Sequence, residues 1–182
     1  MRLFVAIDIP AEIKDALHCF LSRLRPTANA GWSPVDNLHI TTKFIGEWPE
    51  PRLQEMKRTL TSVPVKGAID ITVKGLGWFP NARRPRVFWA GVEGGEPLRT
   101  LARATEQAVA ELGVPIEERD YSPHLTLARI RESIPLDRLH HTLASFPSGC
   151  GFDFGSFDAK QFFLYLSAGG KYTQLAGFPL DQ

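Results

Sequence analysis

Cysteine is scarce. Cys19 and Cys150 are the only two in 182 residues, too few for a disulfide framework and without the spacing of a zinc site. A reducing cytoplasm is therefore the expected compartment. Long apolar runs are missing too. None reaches the length of a membrane span, so no membrane partner is expected. The apolar start Leu3-Phe4-Val5-Ala6-Ile7 is cut by Asp8 and Pro10, too early for a signal sequence. Net charge is only +1, which excludes general polyanion binding. Nucleic acid would have to be engaged locally, at an end or at one phosphate. The chain has no His-x-His pair, no His-Glu-x-x-His and no carboxylate cluster beside its histidine motifs, so neither a metal nor a cofactor is expected. Gly-x-Ser-x-Gly is absent as well. What remains, with 43% hydrophobic and 23% charged residues, is the composition of a folded domain. The length fits one domain over residues 1–182.

One short phrase occurs twice. Leu38-His39-Ile40-Thr41 is followed by Thr42, Lys43, Phe44 and Ile45. Pro123-His124-Leu125-Thr126 is followed by Leu127, Ala128 and Arg129. Each alternates apolar and polar residues and reads as a β-strand. In a strand, residues i and i+2 share a face. His39 then stands beside Thr41, and His124 beside Thr126, while Ile40 and Leu125 point to the core. A third His-x-Thr, His140-His141-Thr142, falls in a segment of helical periodicity. There i and i+2 do not face each other, so the spacing carries meaning only on a strand.

The surroundings repeat as well. Arg86-Val87-Phe88-Trp89-Ala90 echoes Arg2-Leu3-Phe4-Val5-Ala6, an offset of 86 − 2 = 84. The histidines are offset by 124 − 39 = 85. The order strand, helix, His-x-Thr strand, helix, strand is expected twice, in lobes of about 1–80 and 84–182. The first copy holds strands near Arg2–Ile9 and Ile69–Val73 and helices ended by Pro26 and Pro64. Gly75 to Pro85 reads as a Gly/Pro/Arg connection. The second half adds a hairpin turning at Gly169-Gly170. Duplication allows the two polar faces to meet between the lobes.

Two imidazoles across a substrate can act together. With an unperturbed pKa near 6.5, one ring can be neutral and the other charged at physiological pH. The neutral ring accepts a proton from a nucleophile, and the charged one donates to a leaving group. Threonine hydroxyls are donors to phosphate oxygens. The combination suits in-line displacement at phosphorus without a metal.

His39-Ile40-Thr41-Thr42 and His124-Leu125-Thr126-Leu127 resemble the paired H-x-T-x signatures of the two-histidine phosphoesterase superfamily. Within it the chain is similar to the bacterial and archaeal RNA 2′,3′-cyclic phosphodiesterases of the LigT/ThpR type, also called 2′-5′ RNA ligases. Arg2 to Ile7 with Pro10, Lys43-Phe44-Ile45-Gly46-Glu47, Pro123 to Arg129, and the terminal Gly-Gly, Tyr172 and Phe178-Pro179-Leu180 carry the resemblance along nearly the whole chain. Thr42 stands where the family usually has an aliphatic residue. The resemblance implies an α+β, bilobal, pseudo-two-fold unit with two antiparallel sheets around a central cleft and helices outside. It implies a hydrolase that opens 2′,3′-cyclic phosphate ends of RNA to 2′-phosphates without metal, with 2′-5′ ligation as a further family activity. It also implies His39 as proton donor, His124 as proton acceptor, Thr41 and Thr126 on the nonbridging oxygens, and Arg129 as a phosphate or base contact. Strict alternation would put Arg129 opposite His124, so that contact requires the strand to end or bulge near Ala128.

The partners expected are RNA ends, or alternatively a small cyclic nucleotide or 2′-5′ oligonucleotide, handled by a monomer. Lys43 shares strand parity with His39 and Thr41 and is a candidate phosphate contact. Arg83, Arg84 and Arg86 with Lys74 form a candidate basic rim. Phe44, Trp48, Phe79 and Tyr121 are candidates to stack a base. Activity is expected to survive EDTA. Loss on chelation, restored by a divalent ion, would overturn the two-histidine mechanism.

Overall fold

Leu3, Val5 and Ile7 of the first strand face one way, Phe4 and Ala6 the other, and both sets are buried. Such a strand belongs inside a sheet covered on both faces. A computed structural model of the chain describes residues 1–131 and 133–180. Its elements run β1 (Arg2–Asp8), α1 (Ala11–Leu24), β2 (Gly31–Trp32), β3 (His39–Glu47), α2 (Leu53–Thr61), β4 (Ile69–Phe79), β5 (Val87–Glu93) and α3 (Gly95–Ala110). Then follow β6 (His124–Arg129), α4 (Asp137–Ala144), β7 (Asp153–Ala159), β8 (Gln161–Ala168) and β9 (Lys171–Pro179). The fold is α+β, with two antiparallel sheets ordered β3-β1-β8-β9 and β2-β6-β5-β4-β7.

Helix α1 begins after Pro10, where a missing N–H costs nothing, and ends before Pro26. It buries Ile13, Leu17, Phe20, Leu21 and Leu24 at helical spacing. Leu17, Leu21 and Leu24 are fully out of water, and each contributes roughly 1.5–3 kcal/mol. The helix lies against β7, and α3 lies against β3. The main core joins one face of each sheet to the helices. A second, small cluster of Phe4, Ala6 and Tyr165, with Phe163 against it, lies on the other face of the first sheet.

The strands echo each other as the repeat requires: β3 pairs with β1, and β6 with β5. The sheets, however, do not coincide with the halves of the sequence. β4 joins the second sheet between β5 and β7, while β8 and β9 complete the first. β4 also runs on through the segment read as a Gly/Pro/Arg connection, as far as Phe79. A register shift between Val73 and Leu76 absorbs the irregularity at Gly75, whose φ of +83° suits glycine. The two-residue β2 has no period to betray it and was not anticipated. Among the described residues, no helix is long and apolar enough to cross a membrane.

Candidate active site

The two histidine strands approach each other across the gap between the sheets. Each histidine is held in the same way. His39 Nδ1 lies 2.7 Å from the carbonyl of Asn37, and His124 Nδ1 lies 2.8 Å from that of Ser122, in both cases two residues back. A carbonyl can only accept, so each Nδ1 carries the proton. Each ring must therefore exchange protons through Nε2. The threonines are matched as well. Tyr121 donates its hydroxyl to the carbonyl of Thr41 at 2.9 Å, and Ser33 donates its own to that of Thr126 at 2.7 Å. Both anchors grip the main chain and leave the side-chain hydroxyls on the cleft face.

Both strands then bulge at the same place. Opposite β1, Thr41 pairs with Ala6 and Lys43 with Val5, so Thr42 is an extra residue. Opposite β5, Thr126 pairs with Trp89 and Ala128 with Phe88, so Leu127 is extra. A bulge reverses the alternation beyond it. Arg129 consequently returns to the face of His124 and Thr126 and is exposed there, meeting the condition its assignment required. Thr42, buried at its bulge, donates to the Val5 carbonyl at 3.2 Å, so its hydroxyl is satisfied inside the sheet.

The same bulge overturns the expectation for Lys43. Its side chain is turned away from the cleft and is only 7% exposed. Its ammonium is held at 2.8 Å by both Glu106 of α3 and the Pro115 carbonyl. It fastens the strand to the helix layer and is not a phosphate contact. The place that parity assigned to Lys43 is taken by Phe44, 59% exposed and the positional counterpart of Arg129.

Aromatic rings line both sides. Phe4 stacks on Tyr165 with centroids 5.0 Å apart and lies 4.7 Å from the His39 ring, while Tyr172 meets His39 edge-on at 5.1 Å. Phe79 meets His124 edge-on at 5.0 Å, and Trp89 lies against Phe79 at 5.1 Å. A Cβ at Gly77 would collide with the Trp89 indole, so glycine is what lets that ring lie flat. Trp48 is buried beneath the Arg52 guanidinium, and Tyr121 is committed to Thr41. Neither is free to stack a base. Lys74 lies midway along β4, paired in register with Asp153, five residues before the strand ends at Phe79, and so is not beside Arg83 and Arg84 in the loop that follows. His140 and His141 sit on α4, as their periodicity requires.

Burial holds both histidines below the ordinary imidazole range. For His39 the Asn37 carbonyl and the Asp8 carboxylate pull upward, and the charges of His124 and Arg129 push down. For His124 the Ser122 carbonyl pulls upward and Arg129 pushes down. Asp8 was not identified as a site residue from sequence. It pairs in register with His39, so it shares the cleft face. Its carboxylate is also held by Lys14 at 3.3 Å and Gln174 at 3.3 Å. A lone aspartate closing an apolar strand was the available signal. Among the described residues, no group of three or more His, Cys, Asp or Glu side chains is placed to hold a metal ion.

Comparison with known proteins agrees with this geometry. The sequence profile of the LigT like phosphoesterase family matches residues 7–89 and 92–151. The RNA 2′,3′-cyclic phosphodiesterase of Methanocaldococcus jannaschii is 34% identical over 168 residues, 92% of this chain and 91% of that protein. The Aeropyrum pernix protein of the same name is 41% identical over 117 residues, 61% of this chain and 66% of its own. Among solved structures, a Thermus thermophilus protein superposes with a TM-score of 0.78 at 30% identity, covering 99% of this chain and 98% of that one. LigT of E. coli, crystallised with 3′-AMP, gives 0.76 at 27% identity over 100% and 98% of the chains. With both His-x-Thr strands inside the matched segments, the chain belongs to the LigT-like phosphoesterase family.

Proposed function

We propose that this protein hydrolyses RNA ends carrying a 2′,3′-cyclic phosphate, opening them to 2′-phosphates. The observation that carries this reading is the pairing of two identically held imidazoles, one on each side of a single cleft. Water attacks phosphorus in line with the 3′ oxygen. His124 Nε2 takes the water proton, the P–O3′ bond breaks, and His39 Nε2 delivers a proton to the departing oxygen. Thr41 and Thr126 donate to the nonbridging oxygens, and Arg129 neutralises their charge. A 5′-hydroxyl taking the place of water would give a 2′-5′ linkage by the same opening, which is the route we assign to ligation. The enzyme is read as a cytoplasmic monomer of one domain. Comparing turnover of a cyclic-phosphate RNA end with that of 2′,3′-cyclic mononucleotides tests the reading; no 2′-phosphate product from either would overturn it. The name carried by its relatives favours RNA over a small cyclic nucleotide.

The division of roles has a physical basis in Asp8. A proton donor must be charged before the reaction, and His39 alone has a carboxylate favouring its charged form. Removing that carboxylate lowers the His39 pKa. In Asp8→Asn, the NMR titration of the His39 ring should move to lower pH, that of His124 should stay, and the rate above neutral pH should fall. An unmoved His39 titration would remove Asp8 from the mechanism. The wild-type pH-rate profile should be bell-shaped, reporting the pair as a unit.

Phe44 and Arg129 occupy equivalent positions beyond the two bulges, and we assign them to the base or sugar-phosphate of the terminal nucleotide. Stacking contributes about 1–3 kcal/mol per base. Phe44→Ala should therefore raise KM roughly 5- to 150-fold with little change in kcat. A loss confined to kcat would place Phe44 elsewhere.

A further inference from the structure

Positive charge is concentrated in one loop beside the His124 half of the cleft. The loop at 80–86, joining β4 to β5, reads Pro-Asn-Ala-Arg-Arg-Pro-Arg, three arginines and no carboxylate. It is a shaped loop. Asn81 Oδ1 accepts the backbone N–H groups of both Arg83 and Arg84 at 3.0 Å, and the Arg86 N–H closes the loop onto the Phe79 carbonyl at 2.6 Å. Arg86 also staples it to the end of β6. Its guanidinium donates to the Arg131 carbonyl at 2.7 Å, and its carbonyl accepts from Ile130 at 2.9 Å. The side chains of Arg83, Arg84, Arg129 and Arg131 are left exposed. The base of the loop is Phe79, whose ring touches His124, and Val87 just beyond it pairs with Arg129.

The His39 side is different. A hollow of about 500 Å³ between α1 and the segment leading into β3 is lined by Lys14, His18 and Arg25, but also by Asp15 and Asp36. Lys14 is further occupied by Asp8 at 3.3 Å. Cations in that hollow are balanced by carboxylates, so the hollow offers an extended polyanion little. With a net charge of only +1 over the whole chain, the arginines of the loop and of β6 are a local concentration.

Resting on the cyclic-phosphate reading above, we propose that Arg83 and Arg84, continued by Arg131, form a track for the phosphates of single-stranded RNA upstream of the reacting end, beyond the reacting phosphate assigned to Arg129. A cyclic phosphate terminates the 3′ end, so every other phosphate of the strand lies on its 5′ side. That strand leaves the cleft past His124 and over the β4–β5 loop. The partner is an oligonucleotide end, and a cyclic mononucleotide reaches the histidines without touching the track. A single-strand contact of this kind is electrostatic and sequence-independent, and it weakens with salt by about 0.7 in log–log slope for each phosphate neutralised.

The test compares an eight-nucleotide RNA ending in a 2′,3′-cyclic phosphate with 2′,3′-cyclic AMP, using wild type and the double variant R83Q/R84Q. Turnover of both substrates and direct binding of the octamer are measured across a range of salt concentrations. Wild type should prefer the octamer, and the preference should fade with salt. The double variant should lower the salt slope by about 1.4, two contacts at the single-strand value, raise the octamer KM severalfold, and leave cyclic AMP turnover unchanged. Equal kcat/KM for the two substrates in wild type, or an octamer salt slope unaltered by the double variant, overturns the track while leaving the reading of the site intact. If instead neither substrate is turned over, that reading fails, and the octamer's salt-dependent binding to the two proteins still decides the track.

Discussion

Alanine in place of either His39 or His124 should lower kcat by a factor on the order of 10²–10⁴. The double substitution should fall well short of the product of the two single losses. An acid and a base that act on one displacement are not independent, and once either proton transfer is lost the other assists a step that no longer runs the same way. Thr41→Ala and Thr126→Ala should cost less, because in the proposed mechanism the nonbridging oxygens have several donors and each threonine supplies only one of them. Both rings are only partly buried, so the alanine variants should fold. Near-wild-type melting temperatures, read by circular dichroism, would separate lost chemistry from lost structure. A double variant whose loss equals the product of the singles would show two independent contributions and remove the concerted pair.

The histidines were legible in the sequence because strand alternation is strict over three residues: His, core residue, Thr. The duplication was legible because its offset is held from strand to strand. What lay beyond Thr41 and Thr126 was not, and one physical feature accounts for both outcomes there. A bulge adds a residue without leaving a composition signal, since Thr42 and Leu127 look like any strand residues. Parity carried past the bulge puts Lys43 in the cleft and Arg129 outside it. The structure reverses both. The sheet membership of β4 was hidden for a different reason. A repeat in sequence specifies equivalent strands but not which neighbour each will pair with, and pairing across halves gave β5 a partner that its own half does not supply. Asp8 was missed because its effect on His39 depends on register between two strands, which no local pattern encodes.

The roles of the two histidines can be told apart by changing the leaving group. Opening a cyclic phosphate to a 2′-phosphate expels the 3′ oxygen, a poor alkoxide unless it is protonated as it leaves. Asp8 beside His39 favours the charged ring that would supply that proton, while His124, whose charged form is disfavoured by burial and by Arg129, is suited to take one from water. Sulfur in place of the 3′ oxygen changes only one of these demands. A thiol ionises near pKa 8.5, far below an alcohol, so the thiolate departs with little help. On a 3′-thio substrate, His39→Ala should recover most of its lost rate, a gain on the order of 10²-fold or more if protonation carries the usual share of catalysis. His124→Ala should stay impaired, because its water still needs a base. Rescue of His124→Ala with His39→Ala left impaired would reverse the assignment. Rescue of neither would mean that leaving-group protonation is not what these imidazoles supply, and their function would then have to be sought in charge stabilisation of the pentacoordinate phosphorus beside Thr41, Thr126 and Arg129.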